Sequence, residues 1–130
     1  MGNYRYFTDD EVKGLQGNGP AMLDMARGLA TKALQEATGN PNAEVPFRLT
    51  ATVATDGHSS NSAHYKGLAV DIGLGHLAEG AERDMQRWAI LVGLCAAGFK
   101  RIEICQLHIH ADWGQPPDYA SPLCWMGEDL

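Results

Sequence analysis

The chain has 130 residues, 45% apolar and 20% charged, a make-up that fits one soluble globular domain and excludes collagen-like, coiled-coil and disordered classes. A chain of this size buries roughly 68–70% of its unfolded surface, enough for a single core, so residues 1–130 are expected to form one domain. The net charge of -6 argues against nucleic acid or anionic lipid as the main partner.

The segment Met1-Gly2-Asn3-Tyr4-Arg5 has no signal-peptide core, and no stretch of the sequence is apolar enough to span a membrane. The expectation is a protein made in the cytoplasm, without membrane insertion. Residues 20–38 read as a helix. Pro20 suits its first turn, Met22, Ala26, Leu29, Ala33 and Ala37 recur at helical spacing, and Gly39-Asn40-Pro41 stops it. Phe47, Leu49, Ala51 and Val53 alternate with Arg48, Thr50 and Thr52, the pattern of a half-buried strand. A polar loop from Asp56 to Asn61 follows, then a strand over residues 67–74. Residues 79–97 form a second helix with Met85, Trp88, Val92, Cys95 and Phe99 on one face. Arg101-Ile102-Glu103-Ile104 and Leu107-His108-Ile109-His110 have opposite apolar parity, so a reversal near Cys105-Gln106 is predicted to join them as two paired strands. The tail from Gly114, with Pro116, Pro117 and Pro122, is expected to wrap the surface irregularly, anchored by Trp125. Cys95, Cys105 and Cys124 lack a C-x-x-C spacing and read as structural thiols. The fold class is α+β: a small antiparallel or mixed sheet with helices on one side and a metal cleft on the other.

The cleft follows from side-chain parity. In the strand at 67–74, Leu68, Val70, Ile72 and Leu74 share one face, which leaves Asp71 among Ala69 and Gly73 on the other. Small neighbours leave room beside a carboxylate. In the segment 107–112, Leu107, Ile109 and Ala111 take the apolar face, so His108, His110 and Asp112 converge on the opposite side. With His64 nearby in sequence, the two segments can supply two imidazoles and one carboxylate to one divalent metal, a set suited to catalytic zinc. His76 has no such surroundings and is assigned to the surface.

The pattern Ser62-x-His64-x-x-Gly67-x-Ala69-x-Asp71, followed by His108-x-His110-x-Asp112, resembles the zinc D-Ala-D-Ala carboxypeptidases and related peptidoglycan endopeptidases, including small phage endolysins. The hedgehog signalling domain shares that core. The resemblance spans roughly residues 47 to 113. It implies that His64, Asp71 and His110 hold one zinc per chain, and that His58, six residues before the first ligand as in hedgehog, lies beside the metal. Many of these peptidases carry an Arg shortly before the first ligand; Leu49 to Asp56 contains none, and Arg48 alone stands near that position. An endopeptidase is therefore favoured over a carboxypeptidase, whose site must hold a free C-terminus.

The implied activity is zinc-dependent hydrolysis of peptide bonds in bacterial peptidoglycan, for wall lysis or remodelling, with stem or cross-link peptides as substrate. Its place of action would be the cell wall, reached through a partner such as a phage holin or on a virion. His108 is expected to serve the oxyanion or the leaving amine, Glu103 to act as general base and His58 to assist. Asp112 is expected to orient a histidine ring by accepting its free N–H, while Arg48, Tyr65 and Trp113 line the substrate groove. The alternative is a hedgehog-like zinc-containing binding domain, or a virion structural domain, with little or no catalysis.

Overall fold

The computed structural model describes residues 4–51 and 62–127. Helix α1, Gly19–Thr38, has Pro20 in its first turn, where a missing N–H costs nothing. It ends at Gly39, whose left-handed backbone lets its N–H return to the Gln35 carbonyl. Strand β1 is Arg48–Ala51, β2 is Ala69–Gly73, helix α2 is Ala81–Ala96, β3 is Arg101–Ile104, β4 is His108–Asp112 and β5 is Leu123–Met126. One turn of 3-10 helix, Ala63–Lys66, precedes β2.

The five strands form one mixed sheet in the order β1-β2-β4-β3-β5. β1 with β2, β2 with β4 and β4 with β3 run antiparallel, and β5 adds parallel to β3. Val70, Ile72, Ile102, Ile109 and Ala111 form one buried cluster with Leu23, Ala26, Ala30 and Leu34 of α1 and Ala89, Ile90 and Leu94 of α2. Both helices therefore cover one face of the sheet. Each buried large aliphatic side chain contributes on the order of 1.5–3 kcal/mol. A one-residue slip of β2 or β4 would expose Val70, Ile72 and Ile109 and drive Asp71 and His110 inward. The hydrophobic pattern thereby fixes the register, and the register fixes which side chains face away from the helices.

The expected pairing of β3 with β4 is present: Ile104 lies opposite Ile109, and the Cys105 N–H donates to the His108 carbonyl to close the reversal. Three expectations need correction. The tail is not irregular throughout, because Leu123–Met126 pairs with Arg101–Ile104 as β5. On α1 the buried stripe is Leu23, Ala26, Ala30 and Leu34 rather than the row beginning at Met22. On α2 it is Gln86, Ala89, Ile90, Gly93 and Leu94, while Met85, Trp88 and Cys95 are exposed. The physical reason lies where the helices cross. A Cβ on Gly93 would strike the Ala26 carbonyl oxygen and come within 2.8 Å of the Ala30 Cβ. Close approach selects the small residues for the contact and leaves larger ones such as Trp88 outside it. Cys95 and Cys124 are exposed free thiols and Cys105 is buried, and no helix among the described residues is long and apolar enough to cross a membrane.

Candidate metal centre

The centre is assembled from one turn and two strands on the sheet face opposite the helices. Ser62 caps the turn by accepting the His64 N–H at 3.2 Å. The chain then leaves through Gly67 at φ 69, a left-handed conformation that glycine adopts without penalty. A Cβ there would also meet the Gly14 carbonyl oxygen. These two features explain why a serine and a glycine flank His64 at fixed spacing. They place its ring, 1% exposed, over β2.

Asp71 lies directly opposite His110 in the β2–β4 ladder, and residues directly opposed in an antiparallel pair project from the same face. The Nε2 atom of His64 is 3.3 Å from Asp71 Oδ1, His110 Nδ1 is 3.3 Å from the same oxygen, and the two ring nitrogens are 3.2 Å apart. One ligand atom from each of the three residues lies within 4.8 Å of the others, so His64, Asp71 and His110 can together hold a metal ion. The donor chemistry fits: two imidazole nitrogens and a carboxylate oxygen meet at one point, with each side chain carried by a different backbone segment.

His110 is also held from behind. Its Nε2 meets Asp112 Oδ2 at 2.7 Å, and Asp112 Oδ1 receives Arg101 Nε at 2.6 Å and the Gly114 N–H at 3.1 Å. This bond to Nε2 directs Nδ1 toward Asp71 and His64. Burial opposes a charged ring at His110, but the bonds to Asp112 and Asp71 and the charges of both carboxylates outweigh it and push the imidazole up to about 9. Burial likewise opposes charge on Asp71, yet the bonds from His110 and His64 hold its carboxyl well below the ordinary carboxylate range. Asp112 is lowered against burial by His110 and Arg101. These shifts are two sides of the same contacts. With a carboxylate at each ring nitrogen, the surroundings of His110 favour its imidazolium form in the metal-free protein.

The remaining expected site residues are distributed as follows. His108 is one pleat from His110; its ring is partly exposed and its Nε2 lies 3.8 Å from Asp71 Oδ2. Glu103 pairs with His110 across β3 and β4, so it rises on the ligand face, with Trp125 of β5 as its other neighbour in the row. Arg48 pairs with Gly73, which in turn pairs with His108, so Arg48 stands exposed at the β1 edge of the same face. Tyr65 lies within the turn beside His64, and His76 is exposed. His58 lies outside the described residues. Trp113 belongs elsewhere: its ring packs on Phe99 and against Gly19 at the start of α1, and its Nε1–H donates to the Gln16 carbonyl at 2.9 Å.

The sequence reading missed Arg101 and Tyr119, and it gave Trp125 only as the anchor of the tail. Arg101 had a signal, since it shares parity with Glu103 once β3 is folded back on β4. Tyr119 and Trp125 sit in a proline-rich tail with no periodicity to place them. The Arg101 guanidinium carbon is 5.2 Å from the Tyr119 ring centre and 5.1 Å from that of Trp125, and the Trp125 ring lies 5.8 Å from His110. No family model matches the chain, and no curated protein matches it significantly.

Proposed function

We propose that the chain is a zinc-dependent peptidase acting on the peptide bonds of bacterial peptidoglycan. The observation that carries this reading is the convergence of His64 Nε2, Asp71 Oδ1 and His110 Nδ1 at one point, with His110 oriented through its second nitrogen by Asp112. A three-residue set of imidazoles and carboxylate belongs to catalytic rather than structural zinc, which takes four protein ligands. Zinc held there supplies Lewis acidity, polarising a scissile carbonyl and acidifying water. The motif spacing of Ser62 to Asp71 and His108 to Asp112, which resembles that of the wall peptidases, supports peptidoglycan as the substrate class.

The chain's own residues divide the remaining work. His108, beside Asp71 and open to solvent on one side, is placed to donate an N–H to the oxygen that gains charge as the carbonyl is attacked. Glu103, in the same cross-strand row as His110, takes the proton from the attacking water and delivers it to the amide nitrogen as the C–N bond breaks. One C–O bond forms, one C–N bond breaks, and the water proton ends on the leaving amine. Arg48 borders the face along which the peptide lies. It can receive a terminal carboxylate, but it stands at the exposed sheet edge, which favours internal bonds.

The test is digestion of purified peptidoglycan with the zinc-loaded protein, followed by mass spectrometry of the released fragments. New amino and carboxyl termini at one peptide linkage are expected, absent with His110→Ala. Intact peptides after incubation with folded, zinc-loaded protein would instead make the chain a non-catalytic binding domain.

A further inference from the structure

Asp112 is 1% exposed, and a buried carboxylate is a poor anchor unless its own charge is met. Here every donor around it is accounted for: His110 Nε2 on Oδ2, and Arg101 Nε with the Gly114 N–H on Oδ1. Arg101 is itself fixed on three sides. Its Nη1 donates to the Ala120 carbonyl, and its guanidinium lies near the faces of Tyr119 and Trp125. Such contacts favour a planar, delocalised cation and suit a lysine poorly. The fixation comes from the tail, since Ala120, Tyr119 and Trp125 all belong to it. β5 therefore does more than extend the sheet: it closes the aromatic side of this clamp, and Trp125 also contacts the His110 ring.

Resting on the reading of His64, Asp71 and His110 as the metal centre, we propose that Arg101 is a positioning residue that fixes the His110 ring for metal binding. It acts through Asp112 and is itself held by the C-terminal segment 119–126. It touches neither metal nor substrate. Its effect is to hold the Asp112 carboxylate in one orientation, so that His110 Nε2–H has a single acceptor and Nδ1 has a single direction.

Arg101→Met removes the donors at similar length, and Arg101→Lys keeps the charge without the fork. Zinc affinity is measured by chelator competition, and the visible absorption of the cobalt-substituted protein at saturating cobalt reports ligand geometry. Circular dichroism reports the fold. Both variants are expected to bind zinc about 10–100-fold more weakly and to show altered cobalt bands with an unchanged far-ultraviolet spectrum. If Arg101→Met fails to fold, Arg101→Lys decides the matter. Wild-type zinc affinity together with a wild-type cobalt spectrum in a folded variant would overturn the role of Arg101 and leave the metal centre standing. A wild-type protein that takes up neither metal would overturn the centre itself, and this role with it.

Discussion

Metal binding to this protein should expel a proton, and the contacts of His110 set the pH range in which it does so. Metal-free His110 is flanked by Asp71 at Nδ1 and Asp112 at Nε2, and its imidazolium is held up to about 9. At pH 7 the ring lies below that value, so the metal-free protein carries the extra proton there. A metal needs the Nδ1 lone pair, so that proton must leave. From this ring alone, apparent zinc affinity should fall about tenfold for each pH unit below about 9, or roughly 100-fold from pH 8 to pH 6. The sign for folding runs the other way. A raised imidazole stabilises the metal-free fold fully below its ordinary value near 6.5, and that stabilisation is lost as pH rises through about 9. Chelator competition between pH 6 and 8, with calorimetry in two buffers of different protonation enthalpy, measures the coupling. Asp112→Asn, which removes one of the two carboxylates, should flatten the slope. An affinity that changes less than about threefold across that range would refute the assignment of His110 as a doubly bonded ring whose Nδ1 proton the metal replaces.

Three further outcomes follow. Gly93→Ala should destabilise the fold by about 1–3 kcal/mol in denaturant titration, because the added methyl meets Ala26 and Ala30, despite the roughly 1 kcal/mol advantage of alanine in a helix; equal or greater stability would contradict the close helix crossing. His108→Ala should keep its zinc and lose about 10²–10⁴-fold in peptide turnover; loss of zinc would show that His108 has been given the wrong role. Tyr119→Phe should be neutral or stabilising by up to about 1 kcal/mol in thermal unfolding, because the buried hydroxyl has no hydrogen-bond partner among the described residues; a loss above about 1 kcal/mol would mean that the hydroxyl is satisfied.

What was legible in the sequence was whatever alternation encodes. Val70 and Ile72 against Asp71, and Ile109 and Ala111 against His108, His110 and Asp112, mark both the buried face and the face of the candidate site, because a strand has only two faces. Glu103 could be placed only once the reversal at Cys105-Gln106 was accepted, and the β3–β4 register puts it opposite His110. The helix stripes were read one position away on α1 and along the wrong face on α2. Hydrophobicity marks large residues, whereas the crossing at Gly93 selects small ones. The clamp on Arg101 was invisible for a different reason. Its partners Tyr119, Ala120 and Trp125 come from a segment whose strand pairing depends on β3, a contact that no local pattern encodes.

The central claim is that His64, Asp71 and His110 form one metal centre, and zinc content after exhaustive dialysis tests it most directly. The wild-type protein should retain about one zinc per chain, the count of a mononuclear site. His64→Ala, Asp71→Ala and His110→Ala, each checked for folding by circular dichroism, should each lose tight binding. Full zinc retention in all three folded variants, or no zinc in the folded wild type, would contradict it.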